Sequence, residues 1–403
     1  MINKTLSAIS ISLAALSIAT PAAASQLLGT PANLSVTSSG VKTQTGGLNG
    51  LTYQAQSRIV AAGSTGTAAA GGNPLYFPNR PTQNGVVALI INRESGSFIC
   101  SGSLLPDRRS ILTAAHCVSD GAGTANPLST TAFFYGGPDP DHVLTNTAPG
   151  GSTAIQVTNF FVNPNYTGEV IDQNDIAVLR LADFAPEFAT SYGIGTTADL
   201  EGQIYNIAGV GGRSTVGGNL GVNAGTGRLR QGFNSYDFRF GDGAFGGFFT
   251  DIDPATGQNF FGTASIGQSI LADFDNGLAA NDMSCRLGGF FGTTQFCNLG
   301  LGIREVSSAG GDSGGPQFIN GRIVSLTSYG LSFGTGFGDL VPGLQSSFGE
   351  LNGFVPTSIH SAFIGRSAFG AIPEPATWAM LIMGFGLVGS AARRRTKIRV
   401  AYS

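Results

Sequence analysis

The run GGDSGGP at residues 310–316 constrains this chain more than any other feature, because it sets one serine among glycines. Two further runs supply its chemical partners: TAAHC at residues 113–117 carries a histidine, and NDIA at residues 174–177 carries an aspartate. A serine hydroxyl is a poor nucleophile until a positioned base accepts its proton, and a third group usually orients that base. The sequence therefore predicts one catalytic set: His116 as general base, Asp175 as its partner and Ser313 as nucleophile.

The local context of each residue suits these roles. His116 follows a strand-like stretch, and Asp175 directly precedes an apolar one, so Asp175 can be buried beside the imidazole and accept its Nδ1 hydrogen bond. The glycines around Ser313 permit a tight turn. They leave the N–H groups of Gly311 and Ser313 as the expected oxyanion hole. Asp172 competes with Asp175 but lacks the following strand, and His142, in DPDH, is expected to be a solvated loop residue.

Short apolar runs of strand length recur from about residue 76 to 370, separated by Gly, Pro, Asn and Asp. This spacing favours an all-β barrel or sandwich. No alternation with long helical patterns is present, so a parallel α/β sheet is not expected. The clearest runs are residues 86–91, 110–114, 176–181, 204–210 and 322–328.

Together, TAAHC, NDIA and GDSGGP, in the order His, Asp, Ser, resemble the trypsin-like serine proteases of the chymotrypsin fold. The resemblance implies an all-β fold of two six-stranded antiparallel β-barrels with the active site between them, and a short C-terminal helix near residues 357–364. It also implies a serine endopeptidase that hydrolyses protein or peptide substrates through an acyl-enzyme intermediate. The protease domain is expected to span residues 76–370.

The same glycine-rich run also satisfies the G-x-S-x-G pattern of α/β-hydrolases, with Asp339 and His360 as conceivable partners. That fold would need room for both partners, yet only 90 residues follow Ser313. No alternating strand–helix pattern precedes the serine, and His116 and Asp175 would be left unexplained. We therefore expect the barrels.

The family resemblance implies two disulfides. Cys100 is expected to pair with Cys117, next to the histidine, and Cys285 with Cys297, in a loop before the nucleophile. Family members usually carry a further cysteine four residues before the nucleophile, where this chain has Ala309. The usual bridge across the specificity pocket is therefore missing.

The resemblance also indicates substrate-binding residues. Ser307 stands six residues before the nucleophile, where trypsins place an aspartate that binds Arg or Lys. Without a buried carboxylate a cationic side chain would lie uncompensated in the pocket, so we expect preference for uncharged residues before the scissile bond. Ser328, Tyr329 and Gly330 resemble the family's strand that pairs with the extended substrate backbone.

The first 25 residues have the pattern of a secretory signal peptide, with Lys4, an apolar stretch and a small-residue AAA site for signal peptidase. Export to an oxidising compartment favours paired cysteines. Residues 26–75 are rich in Ser, Thr, Ala and Gly and predict a linker or pro-segment. Within it, Arg58-Ile59 resembles the activation site of trypsin-like zymogens, whose new Ile terminus pairs with the aspartate before the nucleophile, here Asp312. Ala61-Ala62 replaces the family's Gly-Gly, so an ordinary strand or linker is the equal alternative.

Residues 371–403 combine Pro-Glu-Pro, an apolar stretch of 17 residues and three consecutive arginines. This order closely resembles the PEP-CTERM sorting signal in its Trp-Ala variant. The resemblance implies a Gram-negative bacterium, transient membrane insertion through a C-terminal transmembrane helix, and removal of the tail by an exosortase. The product would lie at the cell surface or outside the cell. A permanent membrane anchor is the alternative.

Charge excludes one class of partner. Removing the six basic residues of the terminal segments from 21 leaves 15 basic against 24 acidic residues, a net charge of -9. A domain with this balance and no basic run is not expected to bind nucleic acid. Aspartates at 251 and 253, and at 273 and 275, could offer oxygens to calcium. They match no EF-hand pattern, so we favour solvated turns and predict no metal site and no cofactor.

Two other functions stay open. A catalytically silent, protease-like surface or matrix binding protein would keep this fold, although such proteins usually lose one of the three catalytic residues. An esterase could use the same three side chains, and a comparison of ester with peptide substrates would separate it from a peptidase.

Overall fold

The computed structural model describes residues 30–36, 42–57, 60–63 and 73–370, with four isolated positions of the C-terminal tail. The N-terminal part contributes four strands, β1 (Thr30–Val36), β2 (Lys42–Leu48), β3 (Leu51–Gln56) and β4 (Val60–Gly63). β2 and β3 form a hairpin across the turn Asn49-Gly50. Both turn residues have positive φ, 51° and 84°. This is the two-residue Asn-Gly turn whose twist matches that of antiparallel strands.

The next six strands close into a barrel. They are β5 (Val86–Arg93), β6 (Gly96–Leu104), β7 (Ser110–Thr113), β8 (Ser129–Phe134), β9 (Thr153–Val162) and β10 (Ala177–Leu181). Their antiparallel order is β10-β7-β6-β5-β8-β9. Along β5, Val87, Leu89 and Ile91 enter the barrel core, whereas Val86 and Ala88 enter a second core shared with later strands. Because successive side chains of a strand point to opposite faces and both faces are buried here, β5 is apolar from Val86 to Ile91.

The C-terminal half contains nine strands. They are β11 (Ile204–Gly209), β12 (Gly212–Arg213), β13 (Arg230–Ser235), β14 (Phe238–Arg239), β15 (Ile270–Phe274), β16 (Val306–Ser307), β17 (Pro316–Ile319), β18 (Arg322–Ser332) and β19 (Glu350–Pro356). Six of them pair antiparallel in the order β13-β11-β17-β18-β19-β15. β3 also pairs with β18 and β14 with β15, so β14 and the N-terminal strands β1, β2 and β3 bring this sheet to ten strands. β4 lies with β12 and β16 in a separate small sheet.

The all-β fold class is thus confirmed, with one closed barrel and a second half that is an open half-barrel. Between residues 73 and 370 two α-helices accompany the strands, α1 (Met283–Phe290) and α2 (Ser361–Phe369). A 3-10 turn at Ser358–His360 leads into α2, which is the expected C-terminal helix a few residues later than predicted. No helix within the described ranges is long and apolar enough to cross a membrane. The predicted signal peptide and the predicted transmembrane segment lie outside those ranges.

Phenylalanines of the long insertion between β13 and β16 form a core of their own. Phe249 is fully buried and lies 5.1 Å from the ring of Phe240 and 5.0 Å from that of Phe245. The same core includes Leu331 of β18 and Tyr53 of β3. The insertion therefore joins the N-terminal hairpin to the sheet that carries the nucleophile loop.

Candidate active site

His116, Asp175 and Ser313 meet at the junction of the two halves. His116 is the middle residue of a 3-10 turn after β7, Asp175 lies shortly before β10, and Ser313 lies in the loop between β16 and β17. The Nδ1 atom of His116 is 2.7 Å from Asp175 Oδ2, and its Nε2 atom is 2.5 Å from Ser313 Oγ. These are the three residues that the sequence predicted to act together.

Asp175 is buried and accepts three hydrogen bonds. The backbone N–H of His116 donates to Oδ1 at 2.7 Å, while the imidazole Nδ1–H and the Ser328 hydroxyl donate to Oδ2 at 2.7 and 2.5 Å. Burial alone raises the pKa of this carboxyl. The charge of His116 and the hydrogen bonds outweigh burial, so the pKa of Asp175 lies below its usual value. An ionised Asp175 holds the proton on Nδ1 and leaves Nε2 free to accept one.

The loop around Ser313 uses backbone conformations that favour glycine. Gly311 has φ 115° and Gly314 has φ 76°, and a Cβ on Gly314 would lie only 2.1 Å from Thr113 Oγ1. The Ser101 N–H donates to the Ser313 carbonyl oxygen at 2.8 Å, which ties the serine to β6. The N–H groups of Gly311 and Ser313 donate to no acceptor in the described part of the chain. They are therefore available to an oxyanion.

Two disulfides flank the site. Cys100 is bonded to Cys117 and Cys285 to Cys297, which are the pairs that the family resemblance implies. The first bond joins β6 to the turn that carries His116, and so restricts the backbone of His116. The second joins α1 to the loop that follows it.

The base of the predicted specificity pocket is polar but uncharged. Asn352 Oδ1 accepts hydrogen bonds from Ser307 Oγ at 2.9 Å and from the Ser308 backbone N–H at 2.8 Å. No local pattern in the sequence indicates Asn352, because only the pairing of β18 with β19 brings it here. Ala309, where the family's cysteine is missing, packs with Phe274 and Phe348 instead.

The three residues predicted to form the substrate strand have different surroundings. Ser328 donates to Asp175, and the fully buried Tyr329 places its hydroxyl 2.7 Å from Ser269 Oγ. Gly330 is already paired with Gln56 of β3. The chain's own hairpin therefore covers the strand edge that an extended substrate was expected to use.

The competing residues of the α/β-hydrolase alternative lie elsewhere. Asp339 accepts hydrogen bonds from Ser332 and Ser347, and the Nε2–H of His360 donates to the Gln173 carbonyl at 2.7 Å. Neither contacts Ser313, and the all-β fold excludes that architecture. Asp172, the other competitor, accepts hydrogen bonds from the backbone and side chain of Thr167 rather than from the imidazole of His116.

The prediction for His142 was wrong. This side chain is buried, not solvated, and its ring stacks on Tyr135 with centroids 3.8 Å apart. Its Nε2 atom lies 3.0 Å from Ser152 Oγ, and burial lowers its pKa. His142 therefore has a structural role in the first half of the molecule.

Asp312, beside the nucleophile, is buried, and only one of its two carboxylate oxygens accepts a hydrogen bond from the described residues. Its Oδ1 accepts the Gly211 N–H at 2.6 Å, whereas Oδ2 has no partner in the described ranges. Burial raises the pKa of Asp312 to about 7. The partner predicted from the sequence, the amino group of Ile59, belongs to a residue outside those ranges. β4 begins at the next residue and runs parallel to β12, with Val60 opposite Gly212.

Comparisons with known proteins agree with this geometry. Residues 71–224 match the trypsin family model, and residues 371–395 match the PEP-CTERM protein-sorting motif. Alkaline trypsins B and C of Manduca sexta are 27% and 26% identical to this chain, each over 64% of it and 80% of the relative. The serine protease Hayan of Drosophila melanogaster is 34% identical over 23% of this chain and 13% of that protein.

A solved HL collagenase structure aligns with a TM-score of 0.43 and 16% identity, over 72% of this chain and 96% of that one. The sorting motif indicates export and sorting to the surface or exterior of a Gram-negative bacterium. The trypsin domain and the trypsin relatives imply peptide substrates. The chain carries a trypsin domain and a PEP-CTERM sorting motif and is a trypsin-like serine endopeptidase of the chymotrypsin fold.

Proposed function

We propose that His116, Asp175 and Ser313 form the catalytic triad of this endopeptidase. The observation that carries the proposal is that one imidazole contacts both a buried carboxylate and a serine hydroxyl, although these lie 59 and 197 residues away in the sequence. The imidazole and the hydroxyl both line a cleft of about 350 Å³, where a peptide can reach them. A nucleophile, a base and a group that orients the base are the three parts that acyl transfer needs.

In the proposed reaction, Ser313 Oγ attacks the scissile carbonyl carbon while its proton passes to His116 Nε2. Asp175 stabilises the imidazolium, and the N–H groups of Gly311 and Ser313 donate to the developing oxyanion. The C–N bond breaks as the imidazolium protonates the leaving amine. Water, deprotonated by His116, then hydrolyses the acyl-enzyme and restores Ser313.

The pocket base supports a preference for uncharged residues before the scissile bond. Ser307, Ser308 and Asn352 bond to one another and supply no carboxylate. A buried Arg or Lys side chain would therefore lose its hydration without gaining an opposite charge. Small polar or apolar side chains suit such a pocket better.

We expect the purified protein, once cleaved after Arg58, to cleave a mixed peptide library, with most products ending in uncharged residues. Mass spectrometry of the products gives the residue before each cut. Products confined to Arg and Lys would refute the pocket assignment but leave peptidase activity in place. A folded protein that cleaves no peptide in the library even after cleavage following Arg58 would refute the proposed function and favour the silent binding protein.

The proposal includes the processing of both ends. Signal peptidase would remove residues 1–25, and an exosortase would act on the C-terminal sorting signal after transient membrane insertion. Cleavage after Arg58 would free Ile59, next to a strand that lies beside Gly212. Asp312 Oδ2 has no hydrogen-bond partner among the described residues, which supports that step, because a new ammonium group would supply one.

A further inference from the structure

A cluster of carboxylates lies behind the predicted specificity pocket. Asp273 and Asp275, at the end of β15, and Glu305, just before β16, have carboxylate oxygens within 4.8 Å of one another. All three residues are at most 2% exposed. The expectation of solvated turns at Asp273 and Asp275 was therefore wrong, because the insertion and β19 enclose them.

One oxygen of this cluster has no partner. Asp275 Oδ1 accepts the Gly277 N–H at 2.6 Å, but Oδ2 has no hydrogen bond within the described residues. A Cβ on Gly300 would lie 1.8 Å from Glu305 Oε2 and 3.0 Å from Asp275 Oδ2. Both oxygens therefore face one small space that glycine leaves open.

No Lys, Arg or His side chain among the described residues forms an ion pair with this cluster. Asp237 and Asp282 are two further buried carboxylates beside it. None of the ion pairs found among the described residues involves any of these five acids. Unpaired carboxylates are costly in such a place unless a cation compensates them.

We propose that Asp273, Asp275 and Glu305 bind a calcium ion. Calcium takes six to eight oxygen ligands at about 2.3–2.6 Å, so oxygens on opposite sides of one ion lie roughly 5 Å apart. Because the oxygens of the three carboxylates lie within 4.8 Å of one another, they can all contact one such ion. The ligand set contains no sulfur or imidazole nitrogen, which disfavours zinc and copper.

The position of the site gives the ion a structural task and a route of access. A cleft of about 490 Å³ lined by Asp237, Asn298 and Gly300 lies beside the cluster. Glu305 stands two residues before Ser307, and Ala272, the neighbour of Asp273, pairs with Asn352. The ion would brace both strands that supply the pocket base, where the family's disulfide is missing.

The test is calcium binding by the full chain after treatment with a chelator. Titration calorimetry with calcium chloride should show one site per chain, and millimolar calcium should raise the melting temperature by several degrees. Asp275→Asn keeps the shape of the side chain but should lose both effects. Asp251→Asn, an exposed aspartate of the same insertion, is the matched control and should keep both.

Absence of binding heat and of a melting shift in the folded wild-type protein would overturn the proposal. So would an Asp275→Asn protein that binds calcium as the wild type does. If Asp275→Asn does not fold, crystals of the wild-type protein grown with calcium decide the question. Calcium density between the three carboxylates supports the site, and its absence there refutes it.

A second observation concerns the hairpin of β2 and β3, which occupies the edge of β18. Gln56 pairs with Gly330, Ala55 with Leu331 and Gln54 with Ser332, all antiparallel. An extended substrate would use the same edge if Gly330 has the role proposed for it. The hairpin therefore lies where the backbone of a substrate would lie.

The chain continues from this hairpin into the catalytic cleft. Ser57, the residue after β3, lines the cleft together with His116, Gly311 and Ser313. Its N–H donates to the Lys42 carbonyl at 3.1 Å, so β2 holds the end of β3 in place. The Arg58-Ile59 bond follows immediately in the sequence.

Buried contacts hold the hairpin on the protein. The ring of Tyr53 lies 5.4 Å from that of Phe260 and 4.6 Å from that of Phe261. Lys42 Nζ donates to the Gly168 carbonyl at 2.9 Å. The insertion that carries both phenylalanines therefore packs against the hairpin and stabilises its position.

We infer that residues 54–57 occupy the substrate strand of their own active site, so that the intact chain is blocked toward extended substrates. This inference rests on the proposed function, because it needs Gly330 as a substrate-binding residue. Two probes distinguish a blocked substrate strand from an unreactive Ser313. A small alkyl fluorophosphonate needs only a reactive Ser313, whereas a peptidyl phosphonate with four residues before the phosphorus also needs the β18 edge.

Tyr53→Ala should loosen the hairpin and speed labelling by the peptidyl phosphonate on the order of tenfold, as freeing about two backbone hydrogen bonds would. Labelling by the small probe should change less than about twofold, well under the tenfold that 1.4 kcal/mol gives. Thr52→Ala, on the exposed face of the same strand, is the control and should leave both rates unchanged. Gln56→Pro, which removes a backbone donor from the β3 edge, gives the same comparison if Tyr53→Ala does not fold.

Equal acceleration of both probes, or of neither, would overturn the inference while leaving Ser313 as the nucleophile. Labelling by neither probe in any of the variants would overturn the proposed function, and this inference with it. Selective acceleration of the long probe supports both.

Discussion

Ser313→Ala should lower kcat for peptide hydrolysis by about 10⁶-fold, the size of loss seen when a serine protease loses its nucleophile. The reason is that Ser313 Oγ is the hydroxyl 2.5 Å from His116 Nε2, where the imidazole can accept its proton. The measurement is intact-mass spectrometry before and after a fluorophosphonate probe. The wild-type protein should gain one adduct, and Ser313→Ala should gain none.

Ser97→Ala is the matched control for this experiment. Ser97 is exposed, lines the same cleft and donates its hydroxyl hydrogen bond to Asn92 rather than to the imidazole. The variant should keep the adduct and nearly all of its activity. An adduct that persists in Ser313→Ala would contradict the assignment of the nucleophile. The same spectra give the mass of the exported protein, and so show whether it begins near residue 26 or at Ile59.

The catalytic residues could be predicted because their chemistry leaves local marks in the sequence. A reactive serine needs a turn that only glycines permit, and Gly311 and Gly314 do have positive φ. Asp175 precedes a buried strand, and His116 follows one. Each of these contexts spans fewer than ten residues, so it is visible without knowledge of the fold.

Features that depend on strand pairing over long distances could not be predicted. β3 pairs with β18 in a register that no local pattern specifies, and the same holds for the place of Asn352 beside Ser307. Strand register is set by which faces are buried in the finished sheet, not by the residues of one strand. The sequence therefore did not reveal that the hairpin covers the expected substrate edge.

The burial of individual polar residues could not be predicted from the sequence either. Asp273 and His142 stand in polar or turn-like stretches, and both were predicted to be solvated. The ring of His142 stacks on that of Tyr135, whereas Asp273 pairs with Leu351 of β19 and accepts the Ser284 N–H of α1. In both cases residues outside the immediate sequence neighbourhood enclose the polar group. Composition near the residue cannot show this.

Asp175→Asn should lower kcat by about 10⁴-fold with little change in KM, because the residue orients the base and does not line the substrate cleft. Asp175 accepts hydrogen bonds from the His116 N–H, from Nδ1–H and from Ser328 Oγ. An amide has one oxygen and an NH₂ group, so it cannot accept all three. The imidazole is then stabilised with its proton on Nε2, where it can no longer accept the proton of Ser313. Steady-state kinetics on a peptide with an uncharged residue before the scissile bond measures the loss.

Asp172→Asn is the control that separates orientation of the base from general loss of structure. Asp172 is buried three residues away, but it accepts hydrogen bonds from Thr167 and from the Asn174 N–H rather than from the imidazole. Its asparagine variant should lose some stability while its kcat stays within about tenfold, or 1.4 kcal/mol, of the wild-type value. If both variants lost activity equally, the loop before β10 would act by stability alone. If Asp175→Asn kept wild-type kcat, the imidazole would not depend on this carboxylate, and the proposed triad would be wrong.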